Sequence, residues 1–161
     1  MPTPIAMTVA KIALYRASLL VDNLGIRLCL AALLVMPSAF VFLLPVFVLV
    51  GASDDVLLPA GLVRNGGAWA LLSFALAIGF SGAWVRIVLA GRTLLRRPAL
   101  RLFVVGALSL GTAALAIDLL VLLGSSSPDD AGWLLLAAFV VSTFLLAGTI
   151  GQPRPDKLHR V

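Results

Sequence analysis

Four apolar stretches, 28–50, 68–90, 102–123 and 132–150, recur along this chain, and each comes close to the roughly 20 helical residues that cross about 30 Å of hydrocarbon. No water is available inside a bilayer to satisfy N–H and C=O groups, so only helices and closed barrels can span it. Runs of this length without apolar–polar alternation specify helices. The expected fold is all-α: a polytopic membrane protein of four transmembrane helices in a single domain, 1–161. Composition agrees, with 61% hydrophobic and 12% charged residues and a mean hydropathy of +1.13, against about a quarter charged in soluble domains. The segments between spans, 51–67, 91–101 and 124–131, are too short to hold a soluble domain.

Charge sets the expected orientation. Lys11, Arg16 and Arg27 precede the first span, Arg92, Arg96, Arg97 and Arg101 separate the second from the third, and Arg154, Lys157 and Arg160 follow the fourth. The other two loops carry Asp54, Asp55, Asp129 and Asp130, with Arg64 as their one basic residue. Short loops obey the positive-inside bias, which places both termini in the cytoplasm. The Ala/Leu/Arg-rich composition and the absence of an N-x-S/T sequon make the cell inner (cytoplasmic) membrane of a bacterium the expected location. A net charge of +5 and a pI near 10.7 then follow from topology and need no nucleic-acid partner. Arg86, Arg92, Arg96, Arg97 and Arg101 are expected to contact anionic lipid headgroups, Arg86 by snorkelling from the inner end of span two beside Trp84. Trp69 and Trp133 open spans two and four at the outer interface, where an indole keeps its ring in the apolar layer and its N–H near water.

Residues 5–22 read as an interfacial amphipathic helix. Thr8, Lys11, Tyr15, Ser18 and Asp22 fall in one wedge at 100° per residue, and Ile5, Val9, Ile12, Leu19 and Leu20 fall on another side. Asn23 and Gly25 then turn the chain into span one. Small residues at intervals of three or four mark close-packing faces: Ala75, Gly79 and Ala83 on span two, and Ala107, Gly111 and Ala114 on span three. The short connection between these spans makes them antiparallel neighbours.

An internal repeat is also legible. Ile26-Arg27-Leu28-Cys29 resembles Leu100-Arg101-Leu102-Phe103, and Val48-Leu49-Val50-Gly51 resembles Val121-Leu122-Leu123-Gly124, at a nearly constant offset. Asp54-Asp55 and Asp129-Asp130 follow, and Trp69 and Trp133 open the next spans. The pattern reads as two copies of an in-out-in hairpin, 26–97 and 100–150, related by an axis along the membrane normal.

Few groups are available for chemistry. The chain has one histidine, one cysteine and no glutamate, so neither a metal site nor a hydrolase constellation can be assembled, and no cofactor or enzymatic activity is expected. Cys29 reads as a small apolar helix residue. Asp118, the one acid inside a span, lies five residues before the outer end of span three and is the candidate intramembrane site. Pro37 and Pro45 each free a carbonyl four residues earlier. Under the repeat offset, Asp118 sits at the depth of Pro45, so a protonated Asp118 is expected to donate to the Val41 carbonyl. The tail, 151–161, lacks apolar periodicity and reads as disordered. The function expected is that of a non-enzymatic accessory or assembly subunit of a membrane complex, bound to a membrane-protein partner or to further copies of itself. The alternative is a small transporter or channel component using Asp118 for proton or cation coupling.

Overall fold

The computed structural model describes residues 4–50, 66–124 and 130–153. These form six helices: α1 (Pro4–Val21), α2 (Leu24–Val50), α3 (Gly66–Val88), α4 (Gly91–Arg96), α5 (Pro98–Gly124) and α6 (Asp130–Ile150). Four stretches are long and apolar enough to cross a membrane, Leu24–Leu43, Leu71–Val88, Pro98–Leu123 and Gly132–Ile150. The protein is therefore an all-α polytopic membrane protein. The aspartates at 54, 55 and 129, Arg64 and the tail beyond Pro153 lie outside the described residues.

Local chemistry sets the helix ends. Asn23 starts α2: its Oδ1 accepts from Gly25 N at 2.9 Å, and its carbonyl accepts from Arg27 N at 3.0 Å. Arg97, at φ −124° and ψ 90°, is held extended by the proline that follows, and Pro98 opens α5, where a missing N–H costs nothing. The connection between spans two and three thus contains a helix of its own, α4. Arg101, expected in that loop, lies inside α5. Span one continues as a single helix through Pro37 and Pro45. Next to Pro37, the Ser38 hydroxyl donates back to the carbonyls of Leu34 and Val35, the latter at 3.0 Å.

The four long helices form a ring in which α2 packs on α3, α3 on α5, α5 on α6, and α6 returns to α2. The α3–α5 contact is the most extensive, and Gly79 and Gly111 are the reason. A Cβ placed on Gly79 would run into the Gly111 backbone, and one on Gly111 would lie 2.6 Å from Gly79 Cα. Ala83, Ala107 and Ala114 are buried beside this crossing, and Ala75 packs at its edge. With no hydrophobic drive between helices in lipid, so close a backbone approach maximises dispersion contact. α5 and α6 are also joined by a hydroxyl pair, Thr112 Oγ1 and Ser142 Oγ, 2.8 Å apart.

Candidate functional site

Where α3, α4 and α6 meet the junction of α1 and α2, the structure gathers the polar groups that the spans otherwise avoid. Arg86, in the last turn of α3, has no solvent exposure. Its Nη2 donates to Asp22 Oδ1 at 2.8 Å, its Nε to Thr149 Oγ1 at 3.0 Å, and its Nη1 to the Leu89 carbonyl at 3.2 Å. Thr149 passes its own proton to the Leu145 carbonyl at 2.8 Å, so the hydroxyl is satisfied in both directions. Asp22 Oδ1 also accepts from Gly91 N at 3.0 Å and, at the 3.5 Å limit, from Gln152 Nε2. Gly91 is needed here: a Cβ would collide with the Asp22 carboxylate and sit 2.6 Å from Gln152 Nε2. An ionised side chain taken out of water alone costs several kcal/mol. The opposite charge and the two neutral acceptors offset that cost at Arg86.

Two further arginines flank this centre, and both perform the same task. Arg27, near the start of α2, donates from Nη1 to the Ile87 carbonyl at 3.3 Å and reaches Val88 O at 3.5 Å. Arg101, near the start of α5, donates from Nη2 to Gln152 O at 3.0 Å, and its contacts to Ile150 O and Thr149 O are 3.4 and 3.5 Å. Each places a cation on the last carbonyls of the helix that follows it in its hairpin, where orphan acceptors and the helix dipole favour positive charge.

These contacts correct two expectations. Arg86 does not reach headgroups: two residues from the end of α3 it finds a carboxylate, and burial against α6 closes the route outward. Arg101 is half-buried and engaged on α6, whereas Arg92, Arg96 and Arg97 are exposed. The tail is also corrected at its first residues. Gln152 is 4% exposed, and Gly151 lies against the Leu14 backbone, so both belong to the packed structure. The polar wedge of α1 is likewise not a solvated face throughout, because Ser18 is buried and Asp22 turns into the bundle.

Asp118 lies elsewhere. It is half-buried on α5, about 25 Å along the helix from Arg101 at 1.5 Å per residue. Among the described residues none hydrogen-bonds or ion-pairs with it, and the expected bond to the Val41 carbonyl does not form. The reason is topological: α2 and α5 sit diagonally across the ring, separated by α3 and α6. Pro45 falls within α2, with its side chain outside what is described. A partly open recess between the four long helices has room for about one water molecule and is lined mainly by Leu34, Phe80, Leu115, Ala138 and the two crossing glycines, with Ser142 as its polar edge. Among the described residues no group of three or more His, Cys, Asp or Glu side chains converges.

The pairing of Asp22 with Arg86 is not written in the sequence pattern, although both residues lie near one membrane boundary. Their shared depth was the available signal. Compared with known protein families, with curated proteins and with solved structures, the chain matches none.

Proposed function

We propose that this protein is a non-enzymatic accessory or assembly subunit of a membrane complex. One observation carries the reading. Asp22, Arg86, Thr149, Arg27 and Arg101 are spent on joining the chain's own segments, and at the Gly79–Gly111 crossing the two backbones meet with no room for a side chain between them. The surface left for other molecules is the outside, where Leu33, Met36 and Phe40 of α2 face outward. Purification in mild detergent is expected to yield a membrane protein at fixed stoichiometry with this chain. Recovery only as a homo-oligomer would favour the alternative.

That alternative, proton or cation coupling in a small transporter, draws on Asp118, a half-buried acid with no polar partner among the described residues. For a coupling residue, Asp118→Asn should leave the protein folded and abolish a pH-dependent flux in proteoliposomes, because asparagine keeps size and hydrogen bonding but cannot exchange a proton. If Asp118 is a partner contact, the same variant should lower complex yield with no flux to lose.

The reading includes orientation: both termini in the cytoplasm, in the cell inner membrane. It is supported by the clustering of α4, Arg27, Arg101 and the end of α1 at one end of the bundle. Reporters active only in the cytoplasm should work when fused after Arg97 and after Val161 and be silent after Asp55 and Asp130. Activity after Asp55 would overturn it. Duplication of a hairpin is also part of the reading. Beyond the matched caps of Arg27 and Arg101, buried Leu30, Leu34 and Val41 of α2 recur as buried Val104, Leu108 and Leu115 of α5, at the same separations from those arginines.

A further inference from the structure

Asp118 stands on the seam between α3 and α5. It is seven residues beyond Gly111, which at 100° per residue returns to within about 20° of the same direction, toward α3. The two helices are antiparallel: a Cβ on Gly79 would meet the Gly111 backbone, and one on Gly82 would lie 2.5 Å from Ala107 Cβ, so α5 goes back as α3 advances. Carried outward from the glycine crossing, this register puts Asp118 level with Leu71 and Leu72, about 10 Å from the crossing. Exposed apolar side chains border the seam there, Leu71 and Phe74 from α3 and Ile117 and Val121 from α5. A half-buried carboxylate thus lies at the base of an apolar groove on the outside of the bundle.

Acids inside a span either line a polar path or pair with an opposite charge. No polar path leads away from Asp118 among the described residues. Toward the arginine end the seam is closed by the Gly79–Gly111 and Gly82–Ala107 contacts, and the hydroxyl pair of Thr112 and Ser142 belongs to the α5–α6 contact, a third of a turn away around α5. An opposite charge is the remaining solution, and a second copy of the chain does not supply it from its described residues. Their basic side chains, from Lys11 on α1 to Arg101 on α5, all lie at the other end of the bundle, with Arg101 about 25 Å from Asp118 along the helix. A copy in the same orientation brings its cations to that same end.

We infer that the groove at Asp118 receives a transmembrane helix of a different protein, and that this helix carries one lysine or arginine at the depth of Asp118. The opposite charge offsets the cost of holding a carboxylate out of water, and the aliphatic stem of the cation packs along Leu71 and Val121. The inference rests on the accessory-subunit reading and names the chemistry by which the partner is recognised.

The test uses the full chain in phosphatidylcholine vesicles, with a donor fluorophore on Cys29, the one cysteine of the sequence and exposed on α2. Acceptor-labelled host peptides of leucine and alanine, about 20 residues long, carry either Lys or Leu about 8 Å inside one end, and energy transfer is titrated. The Lys peptide should associate several-fold more tightly than the Leu peptide. Asp118→Asn should abolish that difference and leave thermal unfolding unchanged, since no described residue bonds to Asp118. Asp118→Lys should reverse the preference, toward a peptide carrying Asp at the same position. Equal association of the Lys and Leu peptides with the native chain would overturn the inference, as would a Lys preference that survives in Asp118→Asn. Failure of the accessory-subunit reading is distinguishable, because that reading falls when purification yields no stoichiometric partner. A partner recovered undiminished with Asp118→Asn leaves that reading standing and overturns this inference.

Discussion

Asp22→Asn should lower the unfolding free energy in detergent micelles by about 3 kcal/mol, near the lower end of the cost of removing one partner from a buried ion pair. The substitution keeps the shape of the side chain and an oxygen for Gly91 N. It removes the charge and leaves the buried Arg86 guanidinium with neutral acceptors alone. The lower end applies because the Asp22 side chain is 34% exposed, so water screens part of the interaction. Asp22→Ala with Arg86→Met removes both charges and should lose less than Asp22→Asn alone, since a neutral, filled site has no ion to desolvate. Denaturant titration followed by circular dichroism reads both. Unchanged stability of Asp22→Asn would show that the ion pair does not hold α1 and α2 to the bundle.

Gly79→Leu and Gly111→Leu should each destabilise the fold by about 3 kcal/mol or more, at or beyond the upper range for overpacked cores. Even alanine has no room: the atoms a new Cβ meets are backbone atoms of the opposite helix, which cannot rotate away as a side chain would. α3 and α5 would have to separate along their most extensive contact. A gain in helix propensity of about 1 kcal/mol on replacing glycine is too small to compensate. Gly106 supplies the control. It lies on α5, where a Cβ would meet nothing within 4 Å, so Gly106→Ala should be neutral or stabilising by up to about 1 kcal/mol. Thermal unfolding of the three variants should separate Gly106→Ala from the other two. Native-like melting of Gly79→Leu and Gly111→Leu would remove the α3–α5 crossing as the centre of the fold.

Much of this architecture is legible in the sequence. The length and hydrophobicity of four stretches dictate four helices, because lipid leaves the backbone no alternative, and small residues at intervals of four mark where backbones can approach. Asn23 and Gly25 signal the turn into span one through chemistry local to a few residues, whereas the start of α5 at Pro98, four residues before the apolar run, is not read from that pattern. What the sequence could not reveal is which helices become neighbours around the ring. The pairing of Arg86 with Asp22 depends on α1, α3 and α6 converging at one end, across 64 positions of chain, and a lone arginine near the end of a span reads equally well as a headgroup anchor. Asp118 and the Val41 carbonyl share a depth, which periodicity reports, but sit on diagonal helices, which it cannot report. Depth along the membrane normal is set one helix at a time by hydrophobic length, and is therefore written in the sequence. Position around the bundle is set by packing between helices far apart in the chain, and only the tertiary structure decides it.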